Sequence, residues 1–236
     1  MNYTHWIFDL DNTLADSAID FDALRQELGI PPGKPILEEI DTRPDAEAAL
    51  LHSRLGELER DFARRATPLP GVDEMLTALA GRGAQLGILT RNSRANALET
   101  LAVCDLAKHF EPEHVLGRDE AAPKPDPEGI DKLLSAWNAK PDTAVMVGDF
   151  HYDLETGRRA GTATIYYDVE DKDQWTAEAD FRARDIEYEE SVWRFTIERP
   201  EERSELNVEL PLPGFHNVRN AVAAVAVATE EAIADE

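Results

Sequence analysis

Apolar runs and helix-period stretches alternate along the chain from residue 71 to residue 167. The spacing predicts helix 71–81, strand 85–89, helix 93–103, strand 114–116, helix 127–137, strand 143–147, helix 152–160 and strand 163–167. An earlier apolar run, residues 4–9, reads as a buried strand that ends at Asp9. Repeated strand–helix units of this length predict an α/β fold, a parallel sheet covered by helices on both faces. Such a sheet binds ligands at the carboxyl ends of its strands, and Asp9, Thr90 and Asp149 all fall there.

Two segments depart from that rhythm. Residues 19–66 are helical in period, with Phe21, Leu24 and Leu28 on one face and Ala49, Leu50, Leu55, Leu58 and Phe62 continuing it. Pro31-Pro32-Gly33 and the stretch from Asp41 to Pro44 break this block into short helices, and Pro68-Leu69-Pro70-Gly71 marks a hinge. After Asp168 the pattern becomes strand-like. Trp193, Phe195 and Ile197 alternate over 191–198, and Leu206, Val208 and Leu210 alternate over 205–210, which predicts a hairpin with a long loop. Residues 217–234 then read as an alanine-rich helix. The expected domains are a catalytic core of 1–16 and 67–186, a helical cap of 17–66, and an appendage of 187–236.

Composition narrows the partners. The 236 residues carry a formal charge of −24, which argues against nucleic acid or an anionic membrane. Cys104 is the single cysteine, so no internal disulfide forms, and its apolar setting suits a buried, inert thiol. The first residues lack a basic region followed by an apolar core, and the longest apolar stretch, Ala221 to Ala228, is far short of a membrane span. The expected location is cytoplasmic.

The chemistry lies in four short elements. Asp9-Leu10-Asp11-Asn12-Thr13 follows the first strand, Thr90-Arg91-Asn92-Ser93 the second, Lys124 stands between Pro123 and Pro125, and Gly148-Asp149-Phe150-His151-Tyr152-Asp153 follows a later strand. A carboxylate is ionised at neutral pH and needs no base to attack phosphorus, which suits Asp9 as nucleophile. Two anions meeting require a counter-charge, and Mg²⁺ supplies one by bridging carboxylates and phosphate oxygens. Asp11 would protonate the leaving alkoxide and then activate water. Asn12 and Thr13 would shape the turn. Thr90, Arg91 and Asn92, at the start of a new helix, form a phosphate cradle, and Lys124 adds a positive charge that also orients Asp9. Asp149 would hold the metal directly or through water, with Asp153 as a second carboxylate. The expected metal set is therefore Asp9, Asp11, Asp149 and Asp153. Each element alone is bland, since an Asp at a strand end is ordinarily a turn or cap residue. Their order gives the signal.

Residues 4 to about 186 resemble the haloacid dehalogenase superfamily, in its phosphoglycolate-phosphatase-like branch, through Asp9 and Asp11, Thr90, Lys124, and Asp149 with Asp153. The resemblance implies a Rossmann-like core with a helical cap, Mg²⁺ dependence and hydrolysis of a small phosphorylated metabolite. Asn12 stands where close relatives carry Gly. Asp11 separates the phosphatases from true dehalogenases, whose halide leaving group needs no proton. The cap arginines Arg25, Arg43, Arg54, Arg60, Arg64 and Arg65 are expected on solvated helix faces, not as ligands.

The segment from about 180 to 236 resembles the end of the Mur ligase central domain, of the alanine-adding type, through Pro213-Gly214-Phe215-His216-Asn217-Val218-Arg219-Asn220. It suggests an alternative function, a nucleotide-binding or interaction module with the hydrolase core as scaffold. Ligase activity is excluded because no Gly-x-x-x-x-Gly-Lys-Ser/Thr loop exists in the chain. A hairpin and one helix cannot bury a core of their own. The appendage is therefore expected to dock on the hydrolase core, extending its sheet, or to form a homodimer through its helix.

Overall fold

The computed structural model describes residues 3–17, 19–166, 182–189, 192–198 and 206–210. Strand β1 (His5–Phe8) leads into a two-residue strand, β2 (Ala15–Asp16). The segment expected as the cap follows as α1 (Phe21–Glu27), α2 (Ile36–Asp41) and α3 (Asp45–Ala63), and the chain returns through β3 (Thr67–Pro68). Then come α4 (Val72–Gly81), β4 (Gln85–Leu89), α5 (Arg94–Val103), β5 (Val115–Leu116), α6 (Glu128–Trp137), β6 (Ala144–Gly148), α7 (His151–Ala160) and β7 (Ala163–Tyr166). The alternation expected over 71–167 is present element by element.

The core is a five-stranded parallel sheet in the order β5-β4-β1-β6-β7. Strand alternation splits its side chains between two faces. Trp6, Phe8, Leu86, Ile88, Val145 and Val147 pack with Leu76, Leu79 and Leu101 from α4 and α5. Ile7, Leu89 and Met146 pack with Ile130, Leu133 and Leu134 of α6 and Ala160 of α7 on the other side. Both faces are thereby covered, which is why these strands read as continuous apolar runs. Cys104 is buried, and burial pushes its thiol pKa up, as an inert thiol requires.

The cap has its own small core of Leu24, Leu28, Ile30, Leu37, Ile40 and Leu55. Asp20 starts α1 by accepting from the main-chain N–H groups of Asp22 and Ala23. The expected apolar face of α3 holds at Leu55, Leu58 and Phe62 but not at Ala49 and Leu50. Leu50 is 73% exposed and Ala49 is also exposed, whereas Ala48, Leu51, Leu55, Leu58 and Phe62 face inward. Phe21, at 44% exposure, also lies outside the face assigned to it. β2 and β3 pair as a short antiparallel ribbon, with Ala15 opposite Pro68 and Asp16 opposite Thr67.

Beyond the core, β8 (Arg182–Glu189), β9 (Val192–Glu198) and β10 (Leu206–Leu210) form an antiparallel sheet in the order β10-β9-β8. The hairpin expected from the alternation is β9–β10, and β8 is an additional strand that crosses position 186. This sheet is separate from the parallel one, so the main sheet is not extended. It packs on the core instead: Phe195 (3% exposed) and Ile197 (fully buried) join the cluster built around Trp6 and Phe8, with Leu206 and Val208 against it. Phe195→Ala should therefore destabilise the whole protein by roughly 3 kcal/mol in urea unfolding. An unchanged midpoint would mean that the sheet is not anchored there. The helix expected over 217–234, its homodimer contact, and His216, Asn217 and Asn220 lie outside the described residues. No helix among the described residues is long and apolar enough to cross a membrane.

Candidate active site

β1 and β6 are neighbours in register, and Asp9 N–H donates to the carbonyl of Val147 at 2.8 Å. That pairing sets the Asp9 loop beside the loop that begins at Asp149. Asn12 turns the first loop at φ 60°, a left-handed conformation that asparagine tolerates better than most residues. Thr13, buried, donates its hydroxyl to Asp149 Oδ1 at 3.4 Å and so ties the two loops together. Gly148 has no room for a side chain: a Cβ there would lie 2.2 Å from Asp153 Cγ. The glycine lets the Asp153 carboxylate tuck under the end of β6, where its Oδ2 accepts from Phe150 N–H at 3.0 Å.

Lys124 is the centre of charge. Its ammonium, 3% exposed, lies 2.7 Å from Asp9 Oδ1 and 2.5 Å from Asp153 Oδ1. Burial alone would lower its pKa, but Asp153 and Asp9 hold it well above the ordinary lysine value. Asp9, Asp149 and Asp153 each offer an oxygen, all within 4.8 Å of one another. Burial pushes the Asp149 pKa well up, and the charges of Asp9 and Asp153 push it further. Asp153 is raised by burial too, with Lys124 pulling it back. With all three ionised, the carboxylates would carry two negative charges beyond the Lys124 ammonium, a state that burial and mutual repulsion oppose. An all-oxygen donor set with that surplus fits a hard divalent cation such as Mg²⁺.

Asp11 stands apart from this group, although its carboxylate was expected among the metal residues. Its Oδ1 is buried without a hydrogen-bond partner, and burial with the Asp9 charge raises its carboxyl pKa to about 6, offset by Ser17 and Asn92. Its carboxylate is not among the oxygens that Asp9, Asp149 and Asp153 gather.

The loop from Thr90 to Ser93, expected as a phosphate cradle, is held by its own side chains. Thr90, 2% exposed, accepts from Asn92 N–H at 3.0 Å, Asn92 Oδ1 accepts from Ser93 N–H at 2.8 Å, and Ser93 caps α5 through Asn96 N–H. Arg91 points to Lys124 and donates to its main-chain carbonyl, with its guanidinium carbon 4.8 Å from the Tyr152 ring centroid. The Arg91 ion pair with Glu38 of α2, at 2.7 Å, was not anticipated. Nor was Glu59 of α3, buried at 8% exposure, which takes both Nη atoms of Arg118 at 2.8 and 2.7 Å and lies 3.4 Å from Asn96 Nδ2. One sequence signal did exist for Glu59. It lies four residues from both Leu55 and Ala63 on the inward stripe of α3, where a carboxylate requires a buried partner. The cap arginines Arg25, Arg43, Arg54 and Arg64 pair with Asp22, Glu47, Glu27 and Glu99, in exposed contacts.

Haloacid dehalogenase-like hydrolases match the chain over residues 22–167. An uncharacterised hydrolase of Saccharomyces cerevisiae is 30% identical over 168 residues, covering 67% of this chain and 74% of that protein. A phosphoglycolate phosphatase of Mesorhizobium japonicum is 27% identical over 186 residues, covering 69% and 81%. Some further relatives match over a segment that is less than half of their own length. Among solved structures, a haloacid dehalogenase-like hydrolase from Bacteroides fragilis superposes with a TM-score of 0.63 at 22% identity, covering 75% of this chain and 94% of that one. The Mur ligase middle domain matches residues 132–228, less than half of the chain, and overlaps the first match. The nucleotide-module alternative is not favoured, because the hydrolase match spans most of the chain and the relatives are hydrolases and phosphatases. The chain belongs to the haloacid dehalogenase-like hydrolase family.

Proposed function

We propose that the protein is a Mg²⁺-dependent phosphatase that hydrolyses a small phosphomonoester through an aspartyl-phosphate on Asp9. In this reading residues 1–16 and 67–186 are the catalytic core and 17–66 the cap. One observation carries it: a buried lysine ammonium shared between Asp9 and Asp153, with Asp149 completing a three-carboxylate cluster whose fully ionised form one ammonium does not balance. Such a cluster is costly unless a cation joins it.

The chemistry balances on this chain's residues. A carboxylate oxygen of Asp9 attacks phosphorus, the P–O bond to the alcohol breaks, and Asp11 gives its proton to the departing alkoxide. Asp11 then takes a proton from water. The water oxygen attacks phosphorus, the bond to Asp9 breaks, and inorganic phosphate leaves. Asp9, Asp149 and Asp153 would hold Mg²⁺, which would supply charge neutralisation for the meeting anions. Lys124 stabilises the transferring phosphoryl group and orients Asp9, while Thr90 and Asn92 shape the loop that receives its oxygens.

The test is hydrolysis of p-nitrophenyl phosphate and ethyl phosphate with Mg²⁺, then with EDTA, then with Mg²⁺ restored. Turnover should fall to background in EDTA and return with the metal. A folded, Mg²⁺-loaded protein that hydrolyses neither ester overturns the reading.

A further inference from the structure

The positive charge beside the site is already spoken for. Arg91 is held on three sides: Nη1 on the Lys124 carbonyl, the guanidinium over the Tyr152 ring, and Nη2 against both Oε atoms of Glu38, at 2.7 and 2.8 Å. The Arg91 side chain is 23% exposed and that of Glu38 46%, so the carboxylate stands at the solvent edge of the pair. An exposed pair of this kind contributes little to stability. Its consequence is electrostatic. A second anion on a substrate that approaches Arg91 would find a guanidinium whose charge Glu38 already offsets. Arg118, which also bonds the Arg91 carbonyl, is neutralised in the same way by Glu59. Among the described residues, the cap side chains that grip Arg91 and Arg118 are thus both glutamates.

We infer that Glu38 is a charge filter, and that the substrates are phosphomonoesters of uncharged or cationic alcohols rather than of alcohols bearing a second anion. The inference rests on the phosphatase reading and specifies its substrate class. It also separates this protein from a relative such as the phosphoglycolate phosphatase, whose named substrate carries a carboxylate. Glu38 acts through Arg91 and touches no reacting atom, so it is a specificity residue. Removing its charge frees the guanidinium, whose planar fork suits a carboxylate or a second phosphate.

The experiment compares ethyl phosphate with 2-phosphoglycolate, a pair that differs mainly by the carboxylate, on the wild-type protein and Glu38→Gln with Mg²⁺. The wild type should favour ethyl phosphate in kcat/KM. In Glu38→Gln the ratio should move about tenfold toward 2-phosphoglycolate, the scale of one partly screened charge pair. A wild type that prefers 2-phosphoglycolate, or a variant that loses both activities equally, overturns the filter. Calorimetric titration of the same two proteins with ethylphosphonate and phosphonoacetate reads it without turnover. Phosphonoacetate should bind Glu38→Gln more tightly than wild type, with no such gain for ethylphosphonate. That binding shift without hydrolysis of any ester would keep the filter and overturn the phosphatase reading, and no binding shift would overturn the filter alone.

Discussion

Asp9→Asn is expected to reduce phosphomonoester turnover by at least about 10⁴-fold, the order lost when other covalent catalysts lose their nucleophile. An amide oxygen cannot form a stable bond to phosphorus, and among the described residues no other carboxylate matches its position at the end of the central strand. The fold should survive the change. Asn keeps the shape and a carbonyl oxygen that accepts from Lys124, whose Nζ lies 2.7 Å from Asp9 Oδ1. It also removes one of the two like charges, Asp9 and Asp153, that raise Asp149. Acid quenching of the wild type during turnover should trap a phosphoprotein that hydroxylamine cleaves, and the variant should trap none. Turnover within about tenfold of wild type, in a variant with an unchanged unfolding midpoint, would assign the attack to another group.

The strands and helices from 71 to 167 were readable because each strand is buried on both faces and each helix on one, so burial imprints a period on the residue types. Asp9, Thr90 and Asp149 were readable for a related reason: the ends of parallel strands place short polar loops next to apolar runs. What escaped has no such imprint. β2 and β3 are two residues each, too short for any period. β8 is a charged stretch, and its pairing with β9 shifts register between Arg184 and Glu187, so alternation fails there. The face of α3 was misjudged at Ala49 and Leu50 because that helix is amphipathic only in part, with exposed alanines and leucines beside the inward ones. Glu38 and Glu59 were missed since their partners, Arg91 and Arg118, lie 53 and 59 positions away across the cap–core boundary. Pairing across that boundary is decided by how the cap settles on the core, which local sequence does not encode.

Lys124→Ala should show that the site is an electrostatic structure as well as a catalytic one. Lys124 is among the most buried charged side chains described, and its two carboxylate contacts are short. Removing it leaves Asp9, Asp149 and Asp153 facing one another with no ammonium, and breaking a buried ion pair by deleting one partner costs about 3–5 kcal/mol. In EDTA the variant should therefore lose roughly that much stability in urea unfolding, beyond its loss of turnover. Mg²⁺ is then expected to restore part of the deficit, because a divalent cation between the carboxylates replaces the missing positive charge and binds only the folded arrangement. The wild type should also gain stability from Mg²⁺, but less than the variant does, since Lys124 already offsets one of its three negative charges. Equal stability of variant and wild type in EDTA would mean that the carboxylates relax apart or take up protons at little cost. The cluster would then lack the unmet charge that makes it a metal site, and the assignment of Mg²⁺ to Asp9, Asp149 and Asp153 would fall with it.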